Sequence, residues 1–293
     1  MDARKRRGEM RRMRALGWGL AGAAALMGLY LFLIAPKIRR RGGTPAWFRG
    51  YFAHRGLHGG QIPENSLPAF ALAAEGGWGI ELDVHLTRDG RLVVHHDESL
   101  LRTCGVDRLI RDMTLAEISR CRLMGTDNAP PALEEVLSAV GGRAPLIVEI
   151  KTAGKRNAEL ARKVYEALSA YSGPWCVESF DPRLLRWYRK HAPAVFRGQL
   201  AYDPTRLGEK KGVAYALGAH LLMNCVSRPD FVAYGHETDA NPSFRLMRCL
   251  FHPPLAAWTV RSDTASKALE GRYDAQIFEG FLPQQEKEMD RHE

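Results

Sequence analysis

Two kinds of hydrophobic pattern divide the chain. Ala15 to Pro36 is 22 residues without a charged side chain, enough helix to cross a hydrocarbon core of about 30 Å. Beyond it, short apolar runs alternate with stretches whose apolar residues recur at helical spacing. The runs predict strands over Tyr51–Arg55, Gly79–Thr87 with Leu92–Asp97, Leu146–Lys151, Trp175–Phe180, Arg197–Ala201, His220–Val226, Ala256–Val260 and Ala275–Glu279. Helices are expected over Ser66–Glu75, Leu133–Val140, Asn157–Tyr171, Pro182–His191 and Ser262–Glu270. Pro68 sits near the start of the first of these, where a missing N–H costs nothing.

Regular strand–helix alternation calls for a parallel sheet. Eight strand groups within residues 46–293 fit a closed (β/α)8 TIM barrel of the α/β class better than an open doubly wound sheet. Glu98 to Pro131 is too long for a short βα loop and reads as a small insertion on the catalytic face. The expected organisation is a basic tail over 1–14, a transmembrane helix over 15–36, a basic linker over 37–45 and a barrel over 46–293.

Charge sharpens that division. The net charge of +9 lies wholly in residues 1–41, which hold eleven Lys/Arg and two acids, so the remainder is balanced. A neutral domain gives no electrostatic footprint for nucleic acid, whereas a basic tail beside an apolar run suits an anionic membrane surface. The run exceeds the roughly 7–15 residues of a signal-peptide core, and Lys37 follows it directly, which favours an uncleaved anchor. Arg4, Lys5, Arg6, Arg7, Arg11, Arg12 and Arg14 precede the run, against Lys37, Arg39, Arg40 and Arg41 after it. The more basic side stays cytoplasmic, so the barrel is expected outside the cytoplasm. The five cysteines are scattered without Cys-x-x-Cys spacing, as small buried or half-buried thiols rather than a disulfide framework or zinc site.

Polar residues gather at the predicted C-terminal ends of the early strands, where barrel active sites form. Glu81 and Asp83 are two apart on a strand and face the same way, as do Glu149 and Lys151. Three carboxylates at one barrel mouth repel unless a cation joins them. An all-oxygen set suits Mg²⁺ or Ca²⁺, with Mn²⁺ as a further option. His54 and His96 come from different strands and suit an acid–base pair. Arg55 and Lys151 suit a phosphate. Cations beside the carboxylates describe phosphodiester cleavage better than glycoside hydrolysis.

The stretch from His54-Arg55-Gly56 through Pro63-Glu64-Asn65-Ser66, Ile80-Glu81-Leu82-Asp83-Val84, Thr87-Arg88-Asp89-Gly90 and His96-Asp97 to Arg102-Thr103 resembles the glycerophosphodiester phosphodiesterase family. The likeness continues at residues 131–137, Glu149-Ile150-Lys151, Glu178-Ser179-Phe180-Asp181 and Trp258-Thr259-Val260. The resemblance implies that His54 and His96 are catalytic and that Glu81, Asp83 and Glu149 bind a divalent cation. It also implies hydrolysis of a glycerophosphodiester to glycerol 3-phosphate and an alcohol. The substrate glycerol hydroxyl would act as internal nucleophile and water would resolve the product. A lysophospholipase D or sphingomyelinase D-like enzyme of the same fold, acting on a lysolipid, is the alternative. A non-catalytic head-group-binding barrel would lack one of these five residues. Arg261-Ser262 and Glu279-Gly280 depart from the family's usual late residues and bear on the leaving-group pocket. Trp258 is assigned either to the substrate pocket or to the core. Glu64, Asn65 and Asp97 are assigned supporting roles, with Asn65 also a candidate N-cap. His85, on the Glu81/Asp83 face, and His95, opposite His96, are read as structural. The alcohol, the native metal and the oligomeric state have no signature in the sequence.

Overall fold

The structure is a computed structural model that describes residues 3–38, 43–209 and 212–284. Of the expected basic flanks, Arg39, Arg40 and Arg41 lie outside the described residues, as does the barrel's expected tail after residue 284. The long helix α1 runs Ala3–Ile34. The barrel then unfolds in order: β1 (Gly50–Ala53), α2 (Leu67–Glu75), β2 (Gly79–Leu86), β3 (Leu92–Val94), the short helices α3 (Leu101–Cys104) and α4 (Leu115–Ile118), α5 (Leu133–Val140) and β4 (Leu146–Ile150). There follow α6 (Asn157–Ser169), β5 (Trp175–Ser179), α7 (Pro182–His191), β6 (Arg197–Ala201), α8 (Val213–Ala219), α9 (Asn224–Ser227), β7 (Phe231–Gly235), α10 (Pro242–Phe251), β8 (Leu255–Val260), α11 (Asp263–Leu269) and β9 (Ala275–Phe278). Strands β1, β2 and β4 to β9 pair in parallel around a closed ring, with β1 bonded to both β9 and β2. The eight-stranded (β/α) barrel is therefore as expected. β3 folds back antiparallel on β2 and carries His95 and His96 toward the mouth.

Two expectations fail in one region. His220–Val226 is not a strand; it is the turn after α8 and the first three residues of α9, and the strand is Phe231–Gly235. The run His220-Leu221-Leu222-Met223 is short and apolar, and such runs are ambiguous between buried helix and buried strand. The helix α10, capped by Asn241 with Pro242 next, was not anticipated. The excursion between β3 and α5 has its own small core of Val93, Leu100, Ile110, Met113 and Ile118.

Inward-facing positions change character along the barrel axis. Each strand's inner residues alternate by two. Near the floor these are Phe52, Ile147, Cys176, Phe231, Ala256 and Ile277, joined by Phe48 of the turn Ala46–Phe48, all in one apolar cluster. Two residues further along the same strands come His54, Glu149, Glu178, Trp258 and Glu279. The closed lower half supports a polar upper half.

Candidate active site

His54-Arg55-Gly56 turns the chain out of β1. Arg55 has φ +56° and Gly56 φ +79°, the left-handed region, and a Cβ on Gly56 would lie 2.8 Å from the Ala69 backbone. That turn points the Arg55 backbone N–H at the Glu81 Oε2, 3.0 Å away. Glu81, Asp83 and Glu149 are buried, and one carboxylate oxygen from each lies within 4.8 Å of the others. The register places Asp83 beside Glu149 and Glu149 beside Glu178, so three adjacent strands deliver four acids to one spot.

Their neighbours are cations and amides. The Lys151 ammonium is 2.7 Å from both Asp83 Oδ1 and Glu149 Oε1. Asn65 Nδ2 donates to Asp83 Oδ2 at 2.8 Å. Asn65 has φ +52°, and the N-cap of α2 is Ser66 rather than Asn65. Asn tolerates the left-handed region, which frees its side chain to support the metal-ligand candidate. Arg55 binds Glu64 at 2.8 Å and sits 3.7 Å from Asp83.

The two histidines are held alike. His54 Nδ1 is 2.6 Å from Glu279 Oε2, and His96 Nδ1 is 2.6 Å from Asp97 Oδ1. An ionised carboxylate only accepts, so each Nδ1 donates and each Nε2 is available to a substrate. Arg102 clamps this side by donating to Asp97 and twice to Glu64. His95 is buried and bonded through both ring nitrogens, to the Asp97 carbonyl and to Thr103. His85 is bonded to the His96 carbonyl. His95 therefore has no ring nitrogen left for the carboxylate group.

Burial dominates the titration of the cluster. It pushes Glu81 well above the usual carboxylate range, aided by Asp83 and Glu149. Burial, opposed by Lys151, raises Glu149 to about 7. Glu178 is likewise pushed up by burial and by Glu149. Burial would raise Asp83 as well, but Lys151, His96 and Arg55 hold it far below its ordinary value. A buried cluster that resists full ionisation on protein charges alone fits a hard divalent cation, which takes oxygen ligands and supplies the missing positive charge.

Trp258 is half-buried, edge-on to Phe180 and Tyr202 at 5.6 and 5.5 Å. The three line a cleft of about 640 Å³ that opens beside His96. Trp258 also packs against the apolar floor cluster, so it sits both on the cleft wall and at the edge of the core. Sequence reasoning missed two partners, Glu279 and Arg102. Arg102 lay inside the quoted motif, two residues before the insertion's first helix ends, but a lone exposed arginine carries no signal of its target. Among the cysteines, Cys249 is exposed and Cys176 buried, with the other three between.

Comparison with known proteins agrees with this geometry. A glycerophosphodiester phosphodiesterase of Bacillus altitudinis is 36% identical over 163 residues, covering 52% of this chain and 66% of that protein. A human lysophospholipase D is 31% identical over 156 residues, 49% of this chain and 48% of the relative. The matches span just under two thirds of the length of the first curated relatives. The fold is also that of an Oleispira antarctica phosphodiesterase solved with its product sn-glycerol-3-phosphate, at TM-score 0.66, 23% identity, 80% of this chain and 94% of that one. The model of the glycerophosphoryl diester phosphodiesterase family matches residues 54–276, from the first histidine of the mouth to the last strand of the ring. The chain belongs to that family.

Proposed function

We propose that the barrel hydrolyses glycerophosphodiesters to glycerol 3-phosphate and an alcohol, with a divalent cation at Glu81, Asp83 and Glu149. The observation that carries this reading is the convergence of three buried carboxylates with two imidazoles whose Nδ1 atoms are each held by a carboxylate. A cation bound there supplies Lewis-acid polarisation of a phosphoryl oxygen. Arg55 and Lys151 bind the remaining phosphate charge, each restrained by acidic neighbours. His54 and His96 act through Nε2 as the acid–base pair: one accepts the proton of the attacking hydroxyl or water, the other donates to the leaving alcohol. Asp97 and Glu64 with Arg102 keep His96 in place, Asn65 orients Asp83, and Trp258 walls the leaving-group side. Mg²⁺, Ca²⁺ and Mn²⁺ all suit the oxygen set.

The membrane reading rests on the helix segment Glu9–Ile34, long and apolar enough to span, with only 6% of its most apolar window buried. We assign it as an anchor over 15–36, with 37–45 leading into a barrel over 46–293. The basic bias of the flanks, seven Lys/Arg before the run against four after it, supports a barrel outside the cytoplasm. Protease added to intact cells then removes the barrel and spares the N-terminus; protection until lysis reverses the orientation.

The decisive experiment is glycerol 3-phosphate release by the full chain from a panel of diesters, with each metal in turn and after exhaustive chelation. Metal-dependent release is expected. Release that survives chelation sinks the metal assignment, and no release from any diester sinks the proposed reaction.

A further inference from the structure

Glu178 has no part in the reaction above, yet the barrel places it beside the acids that do. Strand register sets them in a row: Asp83 on β2 pairs with Glu149 on β4, and Glu149 pairs with Glu178 on β5. Neighbouring strands lie about 4.8 Å apart, so three acidic residues stand side by side, with Glu81 one inward position below Asp83. Cys176, two residues before Glu178, belongs to the apolar floor cluster, and residues two apart share a face. The Glu178 side chain therefore points into the barrel.

Nothing in the protein answers its charge. Glu178 is 1% exposed, and its Oε2 has no hydrogen-bond partner. Among the described residues no cation lies within salt-bridge distance of it. Lys151 is engaged by Asp83 and Glu149, and Arg55 by Glu64 and Asp83. The far side of Glu178 offers no polar group either. Its register partner on β6 is Gly198, and a Cβ there would lie 2.2 Å from the Phe231 ring. An aromatic ring fills the space where an answering side chain would stand, and the next inward residue of β6, Leu200, packs in the floor cluster. The carboxylate has an apolar wall on one side and Glu149 on the other.

A carboxylate taken out of water without a partner is strongly disfavoured, so its charge calls for an answer from outside the chain. Glu81, Asp83, Glu149 and Glu178 bring four negative charges against two positive ones from Lys151 and Arg55, with Glu64 answered by Arg102. Two negative charges remain, the charge of one divalent cation. Without Glu178 only one would remain. Divalent ions differ in their use of a fourth acid. Ca²⁺ takes about six to eight oxygens in flexible geometry, whereas Mg²⁺ demands a near-ideal octahedron and usually keeps several waters beside one or two carboxylates.

We propose that Glu178 is the fourth carboxylate of the cation site and that it tunes the site toward the larger, carboxylate-rich ion, Ca²⁺, over Mg²⁺. This deepens, and rests on, the cation reading of Glu81, Asp83 and Glu149. Those three gather one oxygen each within 4.8 Å, and Glu178 flanks them on the β5 side, where no lysine or arginine reaches. An ion with room for more ligands draws on all four acids. A small one is served by three acids and water.

The test uses the full chain in detergent micelles, stripped of metal by chelation, with Glu178→Gln and Glu178→Asp beside the native protein. Ca²⁺ and Mg²⁺ are titrated separately by calorimetry, so the readout is ion binding rather than turnover. The native protein is expected to bind Ca²⁺ at least tenfold more tightly than Mg²⁺. Glu178→Gln keeps the shape and removes the charge; it is expected to lose at least tenfold in Ca²⁺ affinity and less than threefold in Mg²⁺ affinity. Glu178→Asp keeps the charge but shortens the reach, and its Ca²⁺ affinity is expected to fall between the two. The metal-free thermal midpoint of Glu178→Gln is expected to rise, since an unpaired buried charge is gone. Unchanged Ca²⁺ affinity in Glu178→Gln, or an equal loss for both ions, overturns the proposal. So does a lowered metal-free midpoint, which would mean that Glu178 has a partner within the protein. A native chain that binds neither ion overturns the cation reading and this proposal with it. Ion binding without release of glycerol 3-phosphate from any diester overturns only the reaction proposed above.

Discussion

Glu279 offers the most direct test of how the first histidine is held. Its carboxylate accepts from His54 Nδ1 at 2.6 Å and is 27% exposed. The hydrogen bond from His54 comes first among the causes that lower its own pKa to about 2, so it is ionised at neutral pH. Glu279→Gln keeps the volume and an accepting oxygen but removes the charge. Hydrogen bonds to charged groups contribute about 1.5–3 kcal/mol and neutral ones about 0.5–1.5, so the substitution costs the bond about 1–1.5 kcal/mol. With 1.4 kcal/mol per factor of ten, kcat is expected to fall about 5- to 15-fold. Glu279→Ala, which loses the bond entirely, is expected to fall about 10- to 100-fold by the same reasoning. KM should change less than twofold, because Glu279 acts through His54 and does not touch the phosphate. The assay is steady-state release of alcohol at saturating metal, with the thermal midpoint measured alongside. A native kcat in Glu279→Gln would mean that His54 is oriented by packing alone. A fall that tracks a lowered midpoint would assign Glu279 to stability.

The other expectations follow from equally specific contacts. His54→Ala and His96→Ala are each expected to lose at least about 100-fold in kcat, while His95→Ala loses stability by about 2 kcal/mol through two orphaned partners and keeps kcat within a few-fold, read by urea midpoints and turnover together. Glu64, whose burial would raise its pKa, is held at about 2 against an ordinary 4.5 by Arg102 and Arg55. Its depressed folded-state value means that the pair stabilises the fold above pH 4.5, up to about 3 kcal/mol, and loses that contribution as pH falls toward 2. The gap between native and Glu64→Gln in urea midpoint should therefore narrow over that window; a constant gap refutes the ion-pair account. A chain begun at Pro45 exposes what Ile34 covered and orphans Asn224 and Arg228, and should be less stable by about 3 kcal/mol or more. A chain begun at Tyr30 should match the full chain, and equal midpoints for both would refute the docking.

How much of this was readable in the sequence depends on distance along the chain. Glu81, Asp83, Glu149 and Lys151 declared their common direction because strand periodicity is local: residues two apart share a face whatever the partner strand does. The alternation of Phe52 with His54 and of Ile147 with Glu149 likewise encodes an apolar floor and a polar mouth within a few residues each. The region 203–241 fooled the pattern for a local reason too. His220 to Val226 is apolar without a period, and the true strand is announced by the Pro229-Asp230 break just before it. Asn241-Pro242 was an equally plain helix start that the strand reading displaced. Glu279 could not be read this way. Its meaning comes from β1 closing on β9, a pairing between residues more than two hundred apart, and the sequence shows only an acid at a strand end.

The apolar helix α1 is the clearest case of information that a hydropathy pattern discards. A side chain facing lipid and one facing a protein core are both apolar, so the run Ala15 to Pro36 reads as one uniform segment. The structure splits it near Tyr30, where the first hydroxyl on the helix finds Ser243. After that point the helix carbonyls of Phe32, Ile34 and Ala35 take bonds from Arg228 and Asn224. A helix end leaves its last carbonyls without intrahelical partners, and in hydrocarbon they would stay so at a cost of several kcal/mol each. Donors from the barrel at these carbonyls therefore put the end of the apolar helix in a protein environment rather than a lipid one. The same bonds make the tilt and rotation of the helix a property of the barrel. A helix joined by a flexible linker would be free to face any direction. A helix whose last turn is part of the wall has one orientation to the barrel mouth, and the seven residues from Tyr30 to Pro36 that hold it there are those that look least distinctive in the sequence.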